Sequence, residues 1–363
     1  MAGSVGLRSA HGAPSLSKGP AVVADHQEAG AAQIAASAVI IGTARLGDGA
    51  LVAEGAVIRA AGAGVEIGTG SAVLENSVVV GTAGTPSIVG RRSTFGHRCL
   101  VIGATIGDLC EIGNASILMP GASIGDRVFL GEGTVVPEGT TLPSDVVAVG
   151  RPAHIIRTVT PADLERLRGL RNGDLSIPRA TSITIQPTTE AGAMAQLYAY
   201  RGTLPTIADS AVLFASTEIT GDVVVGGRTI IGAGVKIIGD SHGPVRIGDD
   251  VQILENTVLH LLPDNELVIE DGAIVGPGAM IHGCHIGAGS VIEPGAIVCD
   301  GSVIGAGCVV RAGAVVKQRS SFPDGIDIDG FPATEVGRID SPTVPTWAFT
   351  RDDLPVPADP ASR

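Results

Sequence analysis

Aliphatic residues recur every six positions along most of this chain. Ile106, Ile112, Leu118, Ile124, Leu130 and Val136 make one run. Val268, Ile274, Met280, Ile286, Ile292, Val298, Ile304, Val310 and Val316 make another. A small residue stands four positions after many of them (Cys110, Ser116, Ala122, Ser290, Ala296, Ser302), and glycine often follows directly, as at Gly107, Gly125, Gly287 and Gly305. A period of six is neither the helical 3.6 nor a simple alternation. It is the pattern of a parallel β-helix built of hexapeptides, each short strand burying one aliphatic and turning on a small residue. Three hexapeptides form a triangular coil, and coils stack at about 4.8 Å.

The pattern occurs twice. At an offset of 180 residues Val65-Glu66-Ile67-Gly68 answers Val245-Arg246-Ile247-Gly248, Leu74-Glu75-Asn76 answers Leu254-Glu255-Asn256, and Gly150-Arg151-Pro152-Ala153 answers Gly330-Phe331-Pro332-Ala333. The chain therefore divides into an arm (1–33), a first β-helix (34–158), a helical linker (159–203), a second β-helix (204–340) and a proline-rich tail (341–363). In the linker, Thr160-Pro161-Ala162-Asp163 predicts an N-cap, a first-turn proline and an early carboxylate. A second helix is expected over Thr189 to Tyr200, and the tail is expected to be extended.

Composition agrees with a narrow aliphatic core: glycine is abundant (52 residues), aromatics make up 2%, and hydrophobic residues 44%. A net charge of −13 argues against a nucleic-acid partner, which needs a basic face. Residues 1–33 are rich in Ala, Gly, Ser and Pro without a secretory apolar run, and are expected to be disordered. No segment is long and apolar enough to span a membrane. Five cysteines without a CxxC pair suit a reducing compartment, so the expected location is the cytoplasm. Cys110, Cys284 and Cys308 fall in the small-residue slot and are expected to pack there.

The candidate chemistry lies in histidines divided between the halves. His97 stands opposite Pro277, while His260 and His282 stand opposite Val80 and Ile102. In phase, Ile247, Ile253 and Leu259 point inward, an interruption follows at Leu261–Glu266, and the phase is expected to resume at Val268. His260 and His282 should then sit outward on adjacent coils of one face, with position 277 on another. Three imidazoles are a full protein ligand set for a catalytic zinc. The split predicts one site at an interface between a first and a second β-helix.

These stretches resemble the gamma-class carbonic anhydrase family of left-handed β-helices. The family motif Asn-Ile-Gln-Asp followed four residues on by His is similar to Gln252-Ile253-Leu254-Glu255-Asn256-Thr257-Val258-Leu259-His260. Gly-His-x-x-x-x-His-Gly-Cys is similar to Gly276-Pro277-Gly278-Ala279-Met280-Ile281-His282-Gly283-Cys284, and in the first half to Gly96-His97 through Ala104. The resemblance implies tandem left-handed β-helices and a metal held by His97, His260 and His282, with one histidine coming from a neighbouring prism. It further implies that Arg59 and Asp240, the remnants of the family's Arg-Gly-Asp, pair across that interface. The family's water-orienting glutamine is replaced by Leu254 and Leu74, and its aspartate by Glu255 and Glu75.

The expected function is a metal-dependent lyase in which metal-bound hydroxide attacks carbon dioxide or another small electrophile. Zinc is the first choice of metal, with iron or cobalt also accepting imidazole. Glu255 is the candidate proton shuttle, and a small-molecule substrate and a homo-oligomer are expected. Three other readings stay open: a lyase or cyclase acting on a different small molecule, a hexapeptide acyltransferase for which His242 or His285 would serve, and a non-catalytic assembly module.

Overall fold

The inward aliphatics and glycine-rich corners wind the chain into two triangular prisms of short parallel strands. The computed structural model describes residues 30–350 and 354, apart from 83, 179–182, 187–194 and 241–242. The arm over residues 1–29, the first half of the expected second helix and His242 lie outside them. Strands stack one coil apart in register, so Thr105 and Ile106 pair with Ser123 and Ile124, 18 residues later. Residues such as Ile106, Leu118 and Val136 fill the first prism, while Ile253, Ile292 and Val310 fill the second.

The small slots are fully buried corners where a hydroxyl also bridges coils. Ser290 Oγ donates to the Gly305 carbonyl at 2.8 Å, and Ser302 Oγ to that of Lys317 at 2.8 Å. Burial pushes the Cys110 thiol up to about 12, as expected of a packing residue. Each prism ends in an antiparallel hairpin, Val146–Val149 with His154–Thr158 and Ile326–Gly330 with Ala333–Arg338, which closes the last parallel edge.

The expected phase needs correction after the interruption. Between Leu267 and Gly283 the inward residues are Ile269, Val275 and Ile281, one position later than the series Val268, Ile274 and Met280. Met280 is half-exposed and Ile274 packs outward against the inter-prism cluster. The loop at Leu261–Glu266 lengthens this coil, so that His260 pairs in register with His282, 22 residues on. A short turn at Gly283 then restores the hexapeptide phase at Ile286.

In the linker a helix, α1 (Pro161–Leu170), forms as expected, with a capping box between Thr160 and Asp163. Buried Leu167 and the Arg171 ion pair with Glu111 fix it to the first prism. The second helix is not formed where it is described: Gln196–Tyr198 is a strand pairing parallel with Glu218–Thr220. Its residues join the first coil of the second prism, and that lateral pairing overrides local helix preference.

The prisms lie side by side with their axes running in the same direction. Corner residues Gly278, Gly295 and Gly313 of the second prism meet Leu100, Ile117 and Val135 of the first in ascending order. At Gly278 an added Cβ would lie 2.9 Å from Leu100, and at Gly295 2.6 Å from Ile117, so bare backbone is what allows the approach. The tail joins this cluster: Trp347, Ala348 and Phe349 are buried, and Phe349 stacks on Phe214 with ring centres 5.1 Å apart.

Candidate metal centre

The coil register alone brings two imidazoles together. His260 and His282 end adjacent strands of one face, and His260 Nδ1 lies 3.0 Å from His282 Nε2. Two nitrogens bound to one tetrahedral ion at 2.0–2.1 Å stand about 3.3 Å apart, so this spacing suits a shared cation.

Carboxylates stand behind both rings. His282 Nδ1 donates to Asp300 Oδ2 at 2.6 Å. Burial raises the Asp300 pKa, but the bonds from His282, the Leu262 amide and Asn265 outweigh it and hold the carboxyl below its usual range. An ionised carboxylate only accepts, which places the His282 proton on Nδ1 and leaves the Nε2 lone pair facing His260. On the far side, Asp240 Oδ2 is 3.7 Å from His260 Nε2.

The interruption loop supports this arrangement. Asn265 Nδ2 donates to the Gly283 carbonyl at 2.6 Å and approaches Asp300 Oδ1 at 3.3 Å. Position 283 has φ +38°, and a Cβ there would collide with Asn265 and Asp300. Glycine next to His282 is therefore a requirement of the site.

His97 is not part of this cluster within the chain. It sits on a corner of the first prism, more than half exposed, with Nδ1 2.7 Å from Glu75 Oε2. Among the described residues no three His, Cys, Asp or Glu side chains converge in metal-binding geometry. His285 pairs with Glu270 on a different face.

The Arg59 and Glu255 expectations take another form. Arg59 Nε donates to Glu255 Oε1 at 2.6 Å and Nη2 to the Trp347 carbonyl at 2.7 Å, with the Phe349 ring 4.5 Å from the guanidinium. The two side chains are 1% and 0% exposed. A carboxylate so enclosed and so paired fits an interface ion pair and not a proton shuttle open to solvent. Leu254 is likewise buried in the inter-prism cluster. Sequence reasoning missed Asp300; its signal is a carboxylate 18 residues after His282, at the corner of the next coil.

A groove of about 500 Å³ runs between the prisms near their last coils, lined by Met119, Arg151, Glu293, Arg311 and Phe331 among others. None of the three candidate histidines lines it.

Two family models match parts of the chain: bacterial transferase hexapeptide (six repeats) over residues 283–318, and hexapeptide repeat of succinyl-transferase over 86–119. A carbonic anhydrase of Geobacillus kaustophilus is 42% identical over 102 residues, covering 26% of this chain and 56% of that one. The mitochondrial gamma carbonic anhydrase 2 of Arabidopsis thaliana is 26% identical over 137 residues, covering 36% and 49%. The chain thus spans about half the length of the curated relatives it matches. A solved Bacillus cereus structure named as an acetyltransferase is 35% identical, covers 40% of this chain and 85% of its own, and superposes with a TM-score of 0.40.

Proposed function

Because the chain belongs to the gamma-carbonic-anhydrase-like hexapeptide-repeat family, we propose that it is a metal-dependent lyase whose ion is held by His260, His282 and His97. Zinc is the first choice, and carbon dioxide or another small electrophile is the substrate. The observation that supports this reading is the facing His260 and His282 nitrogens with carboxylates behind them. When bound, the ion supplies the Lewis acidity that makes water a nucleophile near neutral pH.

The chain's own groups set the rest. Asp300 holds His282 in one tautomer and orientation, and Asp240 stands ready to accept from the outer nitrogen of His260. The residue at the family's glutamine position is leucine in both halves, Leu74 and Leu254, so no amide fixes the direction of attack. Misorientation of this kind costs about 100-fold in rate. Hydration of carbon dioxide by the zinc-loaded protein is therefore expected to be slow, and to vanish on chelation. Chelator-insensitive hydration would sink the reading. Efficient, metal-dependent hydration would instead mean that Leu74 and Leu254 impose no such loss.

The acyltransferase reading rests on the transferase hexapeptide matches and the inter-prism groove. The groove lining includes no histidine to serve as base. Hydrolysis of an acyl thioester by the metal-free protein would favour this second reading.

A further inference from the structure

The groove between the last coils of the two prisms carries charges that the coils do not require. Arg151 and Glu138 line it from the first prism, and Glu293, Arg311, Asp327 and Asp329 from the second. At the 180-residue offset these stand opposite Phe331, Gln318, Gly113, Gly131, Val147 and Val149, none of them charged. The coils are nonetheless alike. The Glu293 amide donates to the Val310 carbonyl at 2.8 Å and the Gly113 amide to that of Leu130 at 2.9 Å. One coil on, the Arg311 and Gly131 amides donate to Ile328 and Ala148 at 2.8 and 2.9 Å. The same backbone forms with glycine and valine, so the charges belong to the groove.

They fall into two sets. Arg311 is committed: Nε and Nη2 each reach an oxygen of Asp327 at 2.7 Å, and Nη1 lies 3.2 Å from Glu293 Oε1. That set holds two carboxylates to one guanidinium. The remaining three are uncommitted. Arg151 donates from Nε to the Gly133 carbonyl at 2.7 Å and from Nη1 to the Gly313 carbonyl at 2.6 Å, neutral acceptors on opposite prisms. Among the described residues no carboxylate pairs with Arg151, and no cation pairs with Glu138 or Asp329, although all three line one groove.

The wall beside them is apolar and open. Phe331 is 73% exposed and Val336 58%, and the Phe331 ring centre lies 5.8 Å from the Arg151 guanidinium. An open apolar wall rimmed by charge marks a ligand groove. A volume of about 500 Å³ falls within the ~300–1,000 Å³ of small-molecule sites.

We propose that this groove binds a small zwitterion, an α-amino acid with an apolar side chain. Its carboxylate takes the remaining donors of Arg151, its ammonium is held by Glu138 and Asp329, and its side chain lies on Phe331 and Val336. A simple anion leaves the two rim carboxylates without a partner, and a simple amine leaves Arg151 without one. A phosphorylated cofactor would bring several negative charges to a lining of four carboxylates and two guanidiniums, which does not suit it. The candidate metal ligands lie outside the groove, so the site is separate from the metal centre and its occupancy is read with or without zinc.

The test is calorimetric titration of the full-length protein with L-leucine and L-phenylalanine. Each amino acid is compared with its deaminated analogue (isocaproate, hydrocinnamate) and its decarboxylated one (isoamylamine, phenethylamine). Saturable one-to-one binding of at least one amino acid is expected, with both of its analogues weaker by roughly 10-fold or more, since each lacks one charge-assisted contact. The double variant Glu138→Gln/Asp329→Asn changes only exposed side chains. It should weaken the amino acid by roughly 10-fold or more and leave the deaminated analogue no weaker than before. Arg151→Met should do the reverse, weakening the amino acid and sparing the amine. No saturable binding of either amino acid at millimolar concentration, an analogue that binds as tightly as its parent, or a double variant with wild-type affinity would overturn the proposal. Displacement of the amino acid by coenzyme A at lower concentration would also overturn it, and would give the groove to the acyltransferase reading.

Discussion

At the scale of single residues, Asp300 and Arg59 do work that their sequence neighbours do not reveal. Asp300 fixes the imidazole of His282, proposed above as a metal ligand, and removing such a partner of a ligand typically costs about 10–100-fold in metal affinity. Asp300→Asn should weaken zinc binding by about that factor in chelator competition, with unchanged far-UV circular dichroism. Undiminished affinity would show that His282 needs no carboxylate. Arg59 and Glu255 form a pair fully removed from water. Glu255→Ala should lower unfolding stability by about 3–5 kcal/mol, since it strands a buried guanidinium. The double change Arg59→Met/Glu255→Leu should recover most of that loss in denaturant titration. Equal losses in both variants would mean that the pair's charge is not what matters. The pairing of the two histidines was legible, because the repeat fixes which residues share a face. Asp300 was not, because an Asp-Gly pair at a coil corner looks like any other turn. Glu255 could be read as a shuttle only because burial between two prisms leaves no mark on a single strand's pattern.

At the scale of elements, the hexapeptide repeat dictated nearly all of the strands, since each coil repeats one requirement: an aliphatic inside and a small residue at the corner. Reading failed where the period broke. The loop at Leu261–Glu266 shifted the inward set to Ile269, Val275 and Ile281, and periodicity cannot say how many residues a loop absorbs. The segment at Gln196–Tyr198 became a strand through pairing with Glu218–Thr220, a contact invisible locally. The corner slots also make a chemical prediction. Burial raises the thiols of Cys99 and Cys110 to about 12, and pushes Cys284 up as well. Iodoacetamide at mildly alkaline pH should therefore label half-exposed Cys299 and leave these three unmodified in the folded protein, as read by peptide mass spectrometry. Labelling of Cys110 at the rate of Cys299 would show that the corners open readily.

At the scale of the whole molecule, one inter-prism contact is closed, while the face with His260 and His282 and the corner with His97 are exposed. The closed contact predicts opposite outcomes for two matched substitutions. Leu254→Gln places an amide in the apolar inter-prism cluster and should destabilise the fold by about 1–3 kcal/mol without raising carbon dioxide hydration. Leu74→Gln lies on the corner with His97 and should raise hydration at unchanged zinc content. A gain from Leu254→Gln and none from Leu74→Gln would place the reacting water at the closed contact instead. All of this depends on the metal, and its stoichiometry is the most direct measurement. Elemental analysis of the zinc-equilibrated, desalted protein should give one zinc per wild-type chain, and almost none for each of His97→Ala, His260→Ala and His282→Ala. A wild type without zinc, or a His97→Ala chain that keeps its full complement, would contradict the account.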